Sequence, residues 1–238
     1  MKRFAMPEDI IHILCTRRLD QLLISKAAEK NIFIDVVPFI TTEPVATAEF
    51  KQKSMQLLAQ PIDIVFTSMH AVEAVAQYIQ EKPSWKIWSV GGITKDTVKK
   101  KFGEKTIAGT AKNATTLAEK IIASKSALEV YFFCGDQRLD DLPETLKRND
   151  IAVHEIIAYN TIQTPQQIEE NYDGIMFFSP SAVHSFFSMN TIPVNVVMFS
   201  IGKTTSGIIH SYCTNKVITS EWPGAESLFN EVMKYFGH

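Results

Sequence analysis

The sequence is poor in several things at once, and each shortage removes a class of function. No apolar run approaches the ~18 residues of a transmembrane span. The start, Met1-Lys2-Arg3-Phe4-Ala5-Met6-Pro7-Glu8-Asp9, meets a proline and two acids where a signal peptide carries its apolar stretch. No membrane partner is therefore expected, and the cytoplasm is the expected location. Cysteine is scarce: Cys15, Cys134 and Cys213 lie far apart, odd in number and without a C-x-x-C pair. That spacing supports neither a disulfide framework nor a zinc site. An excess of charge is missing too, with 24 Lys+Arg against 26 Asp+Glu and a net charge of −2. Nucleic acid is thus not expected as a partner, although a small anion held by a few N–H groups remains open. Neither G-x-G-x-x-G nor G-x-x-x-x-G-K-[ST] occurs, and no serine sits in G-x-S-x-G. His12, His70, His154, His184, His210 and His238 show no metal spacing and read singly as surface or cap residues.

What is present is the balance of a folded protein, 45% hydrophobic and 21% charged. The 238 residues leave room for one large or two small domains. Self-comparison favours two. Asp63-Ile-Val-Phe-Thr-Ser68-Met-His-Ala71-Val72 resembles Asp173-Gly-Ile-Met-Phe-Phe-Ser179-Pro-Ser-Ala182-Val183, with Ser179 lying 111 positions after Ser68. The same offset pairs Ser89-Val90-Gly91 with Ser200-Ile201-Gly202, Thr94 with Thr205, and Leu117 with Leu228. A second repeat, Arg18-Leu19-Asp20-Gln21-Leu22 and Arg138-Leu139-Asp140-Asp141-Leu142, is offset by 120. The order is therefore A (10–40), B (60–125), A′ (127–160), B′ (172–236).

Within each unit the signals alternate. Ile10–Cys15, Ile62–Phe66, Lys86–Val90, Val130–Cys134, Gly174–Phe178 and Val194–Ile201 read as short strands, several of them apolar throughout, as buried parallel strands are. Ala71–Ile79, Thr94–Phe102, Thr115–Ala123, Ala182–Phe187, Thr204–Tyr212 and Glu226–Phe236 carry helical spacing. Alternation of this kind predicts an α/β fold with parallel sheets covered on both faces. Pro38–Pro44 and Tyr159–Pro165 break the pattern, extended and proline-bearing, and read as linkers between two lobes facing a cleft. Lys99-Lys100-Lys101 reads as the solvated end of a helix, and Trp85, Trp88 and Trp222 as packing residues.

Ligands of open α/β sheets bind where strands end and helices begin. Thr67-Ser68, Gly91-Gly92-Ile93-Thr94, Gly135-Asp136, Ser179-Pro180-Ser181 and Gly202-Lys203-Thr204-Thr205 all occupy such turns. Helix N-termini attract anions, and small residues admit a ligand to the backbone. Taken singly, Ser68, Thr94, Ser179 and Thr205 are equally well read as N-caps. Taken together, the turns describe a site for a polyanion. Tyr159, at the junction of lobe and linker, reads either as a cleft residue or as a hydrogen-bonded strand tyrosine.

Phe66-Thr67-Ser68 with Ala71-Val72, Gly135 with Leu139 and Leu142, Tyr159-Asn160-Thr161, Phe178-Ser179-Pro180-Ser181-Ala182-Val183 and Ile201-Gly202-Lys203-Thr204-Thr205 together resemble the uroporphyrinogen-III synthase family, in consistent order from about Ile10 to Phe236. The resemblance implies two similar α/β lobes of swapped duplication joined by two strands. It places 1–37 with 166–238 in one lobe, 45–157 in the other, and 38–44 and 158–165 between them. It implies a lyase that takes linear hydroxymethylbilane, a polycarboxylate, expels water, inverts the last pyrrole ring and closes the macrocycle. No cofactor and no metal are implied. Tyr159 matches the family's proposed general acid. The candidate substrate-binding set is Arg17, Thr67, Ser68, Gly92, Thr94, Gly135, Asp136, Ser179, Pro180, Ser181, Gly202, Lys203, Thr204 and Thr205. The sequence departs from the family's habit at Asn160, where a carboxylate is common, at His70, where Asn is, and at Lys203, where Pro is. A monomer is the expected state. The competing reading is a two-lobed small-molecule binding or sensing protein without catalysis.

Overall fold

The structure, a computed structural model, describes residues 10–79, 81–222 and 224–237. The chain divides into two compact units: one takes the chain up to Thr41 together with the chain from Ile162 onward, the other Thr42–Thr161. The first unit contains β1 (Ile11–Cys15), α1 (Gln21–Ala28) and β2 (Ile32–Val36). The second unit follows, with β3 (Ile40–Pro44), α2 (Ala48–Leu58), β4 (Asp63–Phe66), α3 (Met69–Ala76), β5 (Lys86–Val90), α4 (Ile93–Phe102), β6 (Ile107–Ala111), α5 (Ala114–Ser124), β7 (Glu129–Gly135), α6 (Asp141–Lys147) and β8 (Ala152–Gln163). The chain then returns to the first unit for β9 (Gly174–Phe177), α7 (Pro180–Phe187), β10 (Val197–Ser200), α8 (Lys203–Tyr212), β11 (Val217–Thr219) and α9 (Ala225–Phe236).

Each unit is built on one sheet, ordered β2-β1-β9-β10-β11 in the first and β3-β8-β7-β4-β5-β6 in the second. Setting β3 aside, both are the doubly wound order 2-1-3-4-5, with the first two strands of each unit donated by the A and A′ segments. This is a swapped duplication, and the pairings of β1, β9, β10 and β11, and of β4 to β8, are parallel. β4 (DIVF), β9 (GIMF) and β10 (VMFS) are buried along their whole length, because helices cover both faces of a parallel sheet. In the first unit one core joins Ile13, Phe199, Leu228 and Val232 under α1 and α9, and the other joins Leu14, Phe177, Phe186 and Ile209 under α7 and α8. In the second, Phe66, Val75, Phe102 and Phe133 pack under α2, α3 and α4, while Phe132, Leu117, Ile121 and Leu142 pack under α5 and α6.

The stretches read as extended linkers are strand, as the resemblance implied: β3 and the end of β8 are neighbours, and Val45 N donates to Ala158 O while Thr164 N donates to Phe39 O. As one partner advances along the chain the other retreats, which is an antiparallel ladder. α2 is absent from the sequence reading, since only Phe50, Ser54 and Leu57 of its polar sequence are buried, a narrow stripe capped by Thr47. β6 and β11 are short edge strands that composition does not announce. Trp85 and Trp88 are packing residues, their indole N–H groups bound to Leu57 O and Asp63 Oδ1. Trp222 is 58% exposed just beyond β11. The three lysines do close α4, with Lys99 paired to Glu104 at 3.0 Å. Among the described residues no helix is long and apolar enough to cross a membrane.

Candidate active site

The sheet order fixes where to look. In a 2-1-3-4-5 sheet the chain turns away in opposite directions from the first and third strands, and ligands bind at their carboxyl ends. In the second unit those strands are β7 and β4, ending at Gly135 and Phe66. In the first they are β1 and β9, ending at Cys15 and Phe177.

The second unit's switch point holds a connected group. β7 and β8 pair regularly up to Cys134 and Ile157, then slip so that Gly135 faces Tyr159. The slip leaves Ala158 as an extra residue, and such bulges re-aim the next side chain. The Tyr159 ring is turned onto Gly135, where an added Cβ would stand 2.6–2.8 Å from its Cζ, Cε2 and hydroxyl. Only glycine leaves the ring that place. Tyr159 is thus a strand tyrosine whose ring lies at the switch point. The Ser68 side chain lies near enough to the hydroxyl to act on its pKa. Burial pushes the phenol pKa above its ordinary 10, Ser68 pulls it back, and Cys134 and Asp136 push it up. It therefore stays protonated throughout the neutral range.

Neighbouring groups complete this edge. Asp136 N donates to Tyr159 O at 3.1 Å, and Thr161 N donates to Asp136 Oδ1 at 2.8 Å, pinning the loop after β7 to β8. Ser68 caps α3 by accepting from His70 N at 3.2 Å, and Thr67 precedes it, half-buried. His70, read from sequence as a lone surface or cap residue, lies with its ring 5.6 Å from that of Tyr159 and its Nδ1 3.4 Å from Thr42 Oγ1. Only its position two residues after Ser68 signals it in the sequence. Gly92, at the end of the adjacent strand β5, caps α4 at φ 63° and ψ −141°, a conformation essentially confined to glycine. Thr94 is not a cap: it is buried in the first turn of α4.

The first unit repeats the arrangement without the tyrosine. Ser179 caps α7 by accepting from Ala182 N at 3.2 Å, Pro180 occupies the helix's first turn and Ser181 is buried behind it. Arg17, exposed after β1, places its guanidinium 4.8 Å from the centre of the Phe178 ring. At the end of β10, Gly202 caps α8, with Lys203 and Thr204 exposed and Thr205 buried. Thr205, like Thr94, is therefore not a cap, because the glycine before the helix takes that place. Gly202 has extended backbone at φ 178°, and an added Cβ there meets nothing within 4 Å. Neither backbone conformation nor packing calls for glycine at that turn.

Cys15 ends β1 and Cys134 is the last residue but one of β7, and burial, partly offset by nearby arginine, raises both thiols to about 11. Neither is an available nucleophile at neutral pH. Among the described residues no three His, Cys, Asp or Glu side chains are grouped to hold a metal ion. A surface cavity of about 570 Å³ lies elsewhere in the second unit, between α2 and β8.

Comparison with known proteins gives the family and the fold. A family model described as uroporphyrinogen-III synthase HemD matches residues 23–230. Uroporphyrinogen-III synthetase from Helicobacter pylori superimposes with a TM-score of 0.64 at 13% identity, over 94% of this chain and 99% of that one. A mutant uroporphyrinogen III synthase from the extremely thermophilic bacterium Thermus thermophilus gives 0.63 at 13% identity, over 94% and 97%. At such identity the two structures speak for the fold.

Proposed function

We propose, on the premise that this chain belongs to the uroporphyrinogen-III synthase family, that the paired strand-end turns hold the substrate while Tyr159 attends the leaving group. The reaction is a lyase reaction of tetrapyrrole biosynthesis: hydroxymethylbilane loses water and closes to uroporphyrinogen III with its last ring inverted. The pyrroles supply the driving force. The nitrogen of the ring bearing the hydroxymethyl group pushes that hydroxyl out, and the resulting azafulvene is attacked by the last ring through a spiro intermediate. Unaided bilane closes without inversion, so the protein's task is to hold both ends so that the spiro route wins.

The residues suit that task. Each unit by itself offers N–H groups for substrate carboxylates at its helix starts: Thr67-Ser68 and Gly92 before α3 and α4, and Ser179-Pro180-Ser181 and Gly202-Lys203-Thr204 at α7 and α8. Arg17 and Lys203 add positive charge. Thr94, Ser181 and Thr205, buried beneath these turns, support them from behind. Gly135 and Asp136 shape the floor on which Tyr159 lies. A phenol of raised pKa is a poor proton source but a good hydrogen-bond donor, and its role is to orient the departing hydroxyl.

The observation that carries this reading is the Tyr159 ring laid on Gly135 at the sheet's switch point, hydroxyl near Ser68. Tyr159→Phe tests it. Loss of one hydrogen bond to the reacting group, about 1.4 kcal/mol, lowers type III formation about tenfold with little change in melting temperature. A wild-type rate removes Tyr159 from the mechanism. We further propose that the enzyme acts as a cytoplasmic monomer. Free cysteines buried at Cys15 and Cys134 support a reducing compartment, and a single 26.8 kDa species in light scattering is the expected result.

A further inference from the structure

Tyr159 accounts for the orientation of the leaving hydroxyl but not for its proton. Departure as water requires an acid, and a phenol whose pKa lies above 10 gives up its proton reluctantly. Imidazole is the side chain whose ordinary titration falls between pH 5 and 8, and one stands beside the phenol.

We infer that His70 is the proton donor for loss of the hydroxyl, acting next to Tyr159, an assignment that rests on the synthase reading above. The side chain is 43% exposed at the start of α3, open enough to meet substrate. Its ring lies 5.6 Å from that of Tyr159 and tilted by 59°, and its backbone N–H binds the Ser68 hydroxyl that acts on the phenol. Thr42 Oγ1 at 3.4 Å and Glu73 Oε2 at 4.0 Å both address Nδ1, so a strand and a helix hold the ring in place. Imidazole, phenol and hydroxyl thus form one cluster at the carboxyl ends of β4 and β7, beside Tyr159 within β8.

Among the described groups, Glu73 on the same helix faces the ring with its Oε2 4.0 Å from Nδ1, and Asp136 acts on the neighbouring Tyr159 across the loop after β7. β3 contributes the uncharged Thr42, with Glu43 exposed on the strand's opposite face. α4, packed beside α3, carries Lys95, Asp96 and Lys99 at exposed positions.

The step balances. The pyrrole nitrogen's electron pair moves toward the ring, the C–O bond breaks with its pair on oxygen, and that oxygen takes the imidazolium proton and leaves as water. The azafulvenium is then captured by the last ring. The proton lost when the pyrrole regains aromaticity returns to the neutral imidazole, so His70 ends as it began.

The test is initial rates of type III formation by the full-length chain between pH 6 and 9, with the uncatalysed type I background subtracted. Wild type falls in kcat as pH rises through the imidazolium titration, because the acid form is the active one. His70→Asn, which keeps a polar group toward Thr42, loses about 10²-fold at pH 6.5 with KM little changed, and its profile becomes flat. His70→Gln repeats the measurement should the first variant fold poorly, as judged by circular dichroism. Tyr159→Phe keeps the wild-type profile at its lower rate. Type III formation by both His70 variants at the wild-type rate and with the wild-type profile overturns this inference alone. Type I product from wild type at every pH overturns it together with the synthase reading.

Discussion

Tyr159 and Gly135 are one feature seen from two residues. Gly135→Ala places a methyl group where the ring lies, so either the ring leaves or the strand shifts. The expected cost is about 1–3 kcal/mol in stability, the usual range for overpacking, together with loss of type III activity. In a Tyr159→Ala background the same change costs little, since the obstacle is gone; chemical denaturation of the four proteins of this cycle measures the coupling. Equal costs in both backgrounds would show that Gly135 is needed for its backbone alone. Gly92 and Gly202 make the opposite comparison. Gly92→Ala strains a backbone at φ 63° and ψ −141° and costs about 1–3 kcal/mol. Gly202→Ala meets neither strain nor clash, so its melting temperature stays close to that of wild type while KM rises. An unchanged KM would leave Gly202 without a role in substrate approach.

At the scale of elements, the two serine caps separate structure from function. Ser68 and Ser179 each accept a backbone N–H at 3.2 Å at the start of α3 and α7. Replacing either by alanine costs about 1 kcal/mol of stability. Ser68→Ala also removes the group that acts on the Tyr159 hydroxyl and lowers kcat, which Ser179→Ala does not; equal effects on kcat would place the chemistry outside the Tyr159 cluster. The elements themselves are legible in the sequence to different degrees. β4, β9 and β10 stand out because four consecutive buried residues leave an apolar run. α2 is hidden by its polarity, since burying Phe50, Ser54 and Leu57 takes only a narrow stripe. The caps at Ser68 and Ser179 are readable from residue type, whereas Thr94 and Thr205 mislead because the caps of their helices are Gly92 and Gly202, two and three residues earlier. The bulge after Cys134 is invisible: a one-residue slip in pairing is set by how two strands meet, and neither strand announces it. With it the company of His70 is hidden too, because Thr42 and Tyr159 reach it from strands distant in sequence.

At the scale of the molecule, the duplication is written in the sequence offsets and recovered in two sheets of the same order. Offsets show which segments correspond but not which pair; that the A and A′ segments each complete the other copy's sheet, as the resemblance implied, is seen in the pairing of β1 with β9 and of β4 with β7. The consequence is asymmetric. The second unit, Thr42–Thr161, is one continuous stretch with cores on both faces of its sheet. Expressed alone it should melt cooperatively, whereas the first unit's chain up to Thr41 should not fold without the portion from Ile162 onward. A non-cooperative transition for 42–161 would mean that its fold depends on the rest of the chain. The whole account converges on isomer outcome, because orientation of the two substrate ends is what separates catalysed from uncatalysed closure. Freshly prepared hydroxymethylbilane, incubated with the protein and oxidised, is resolved into type I and type III uroporphyrin. A predominance of type III over the no-enzyme control is the predicted result; type I alone, from folded protein, would contradict the account.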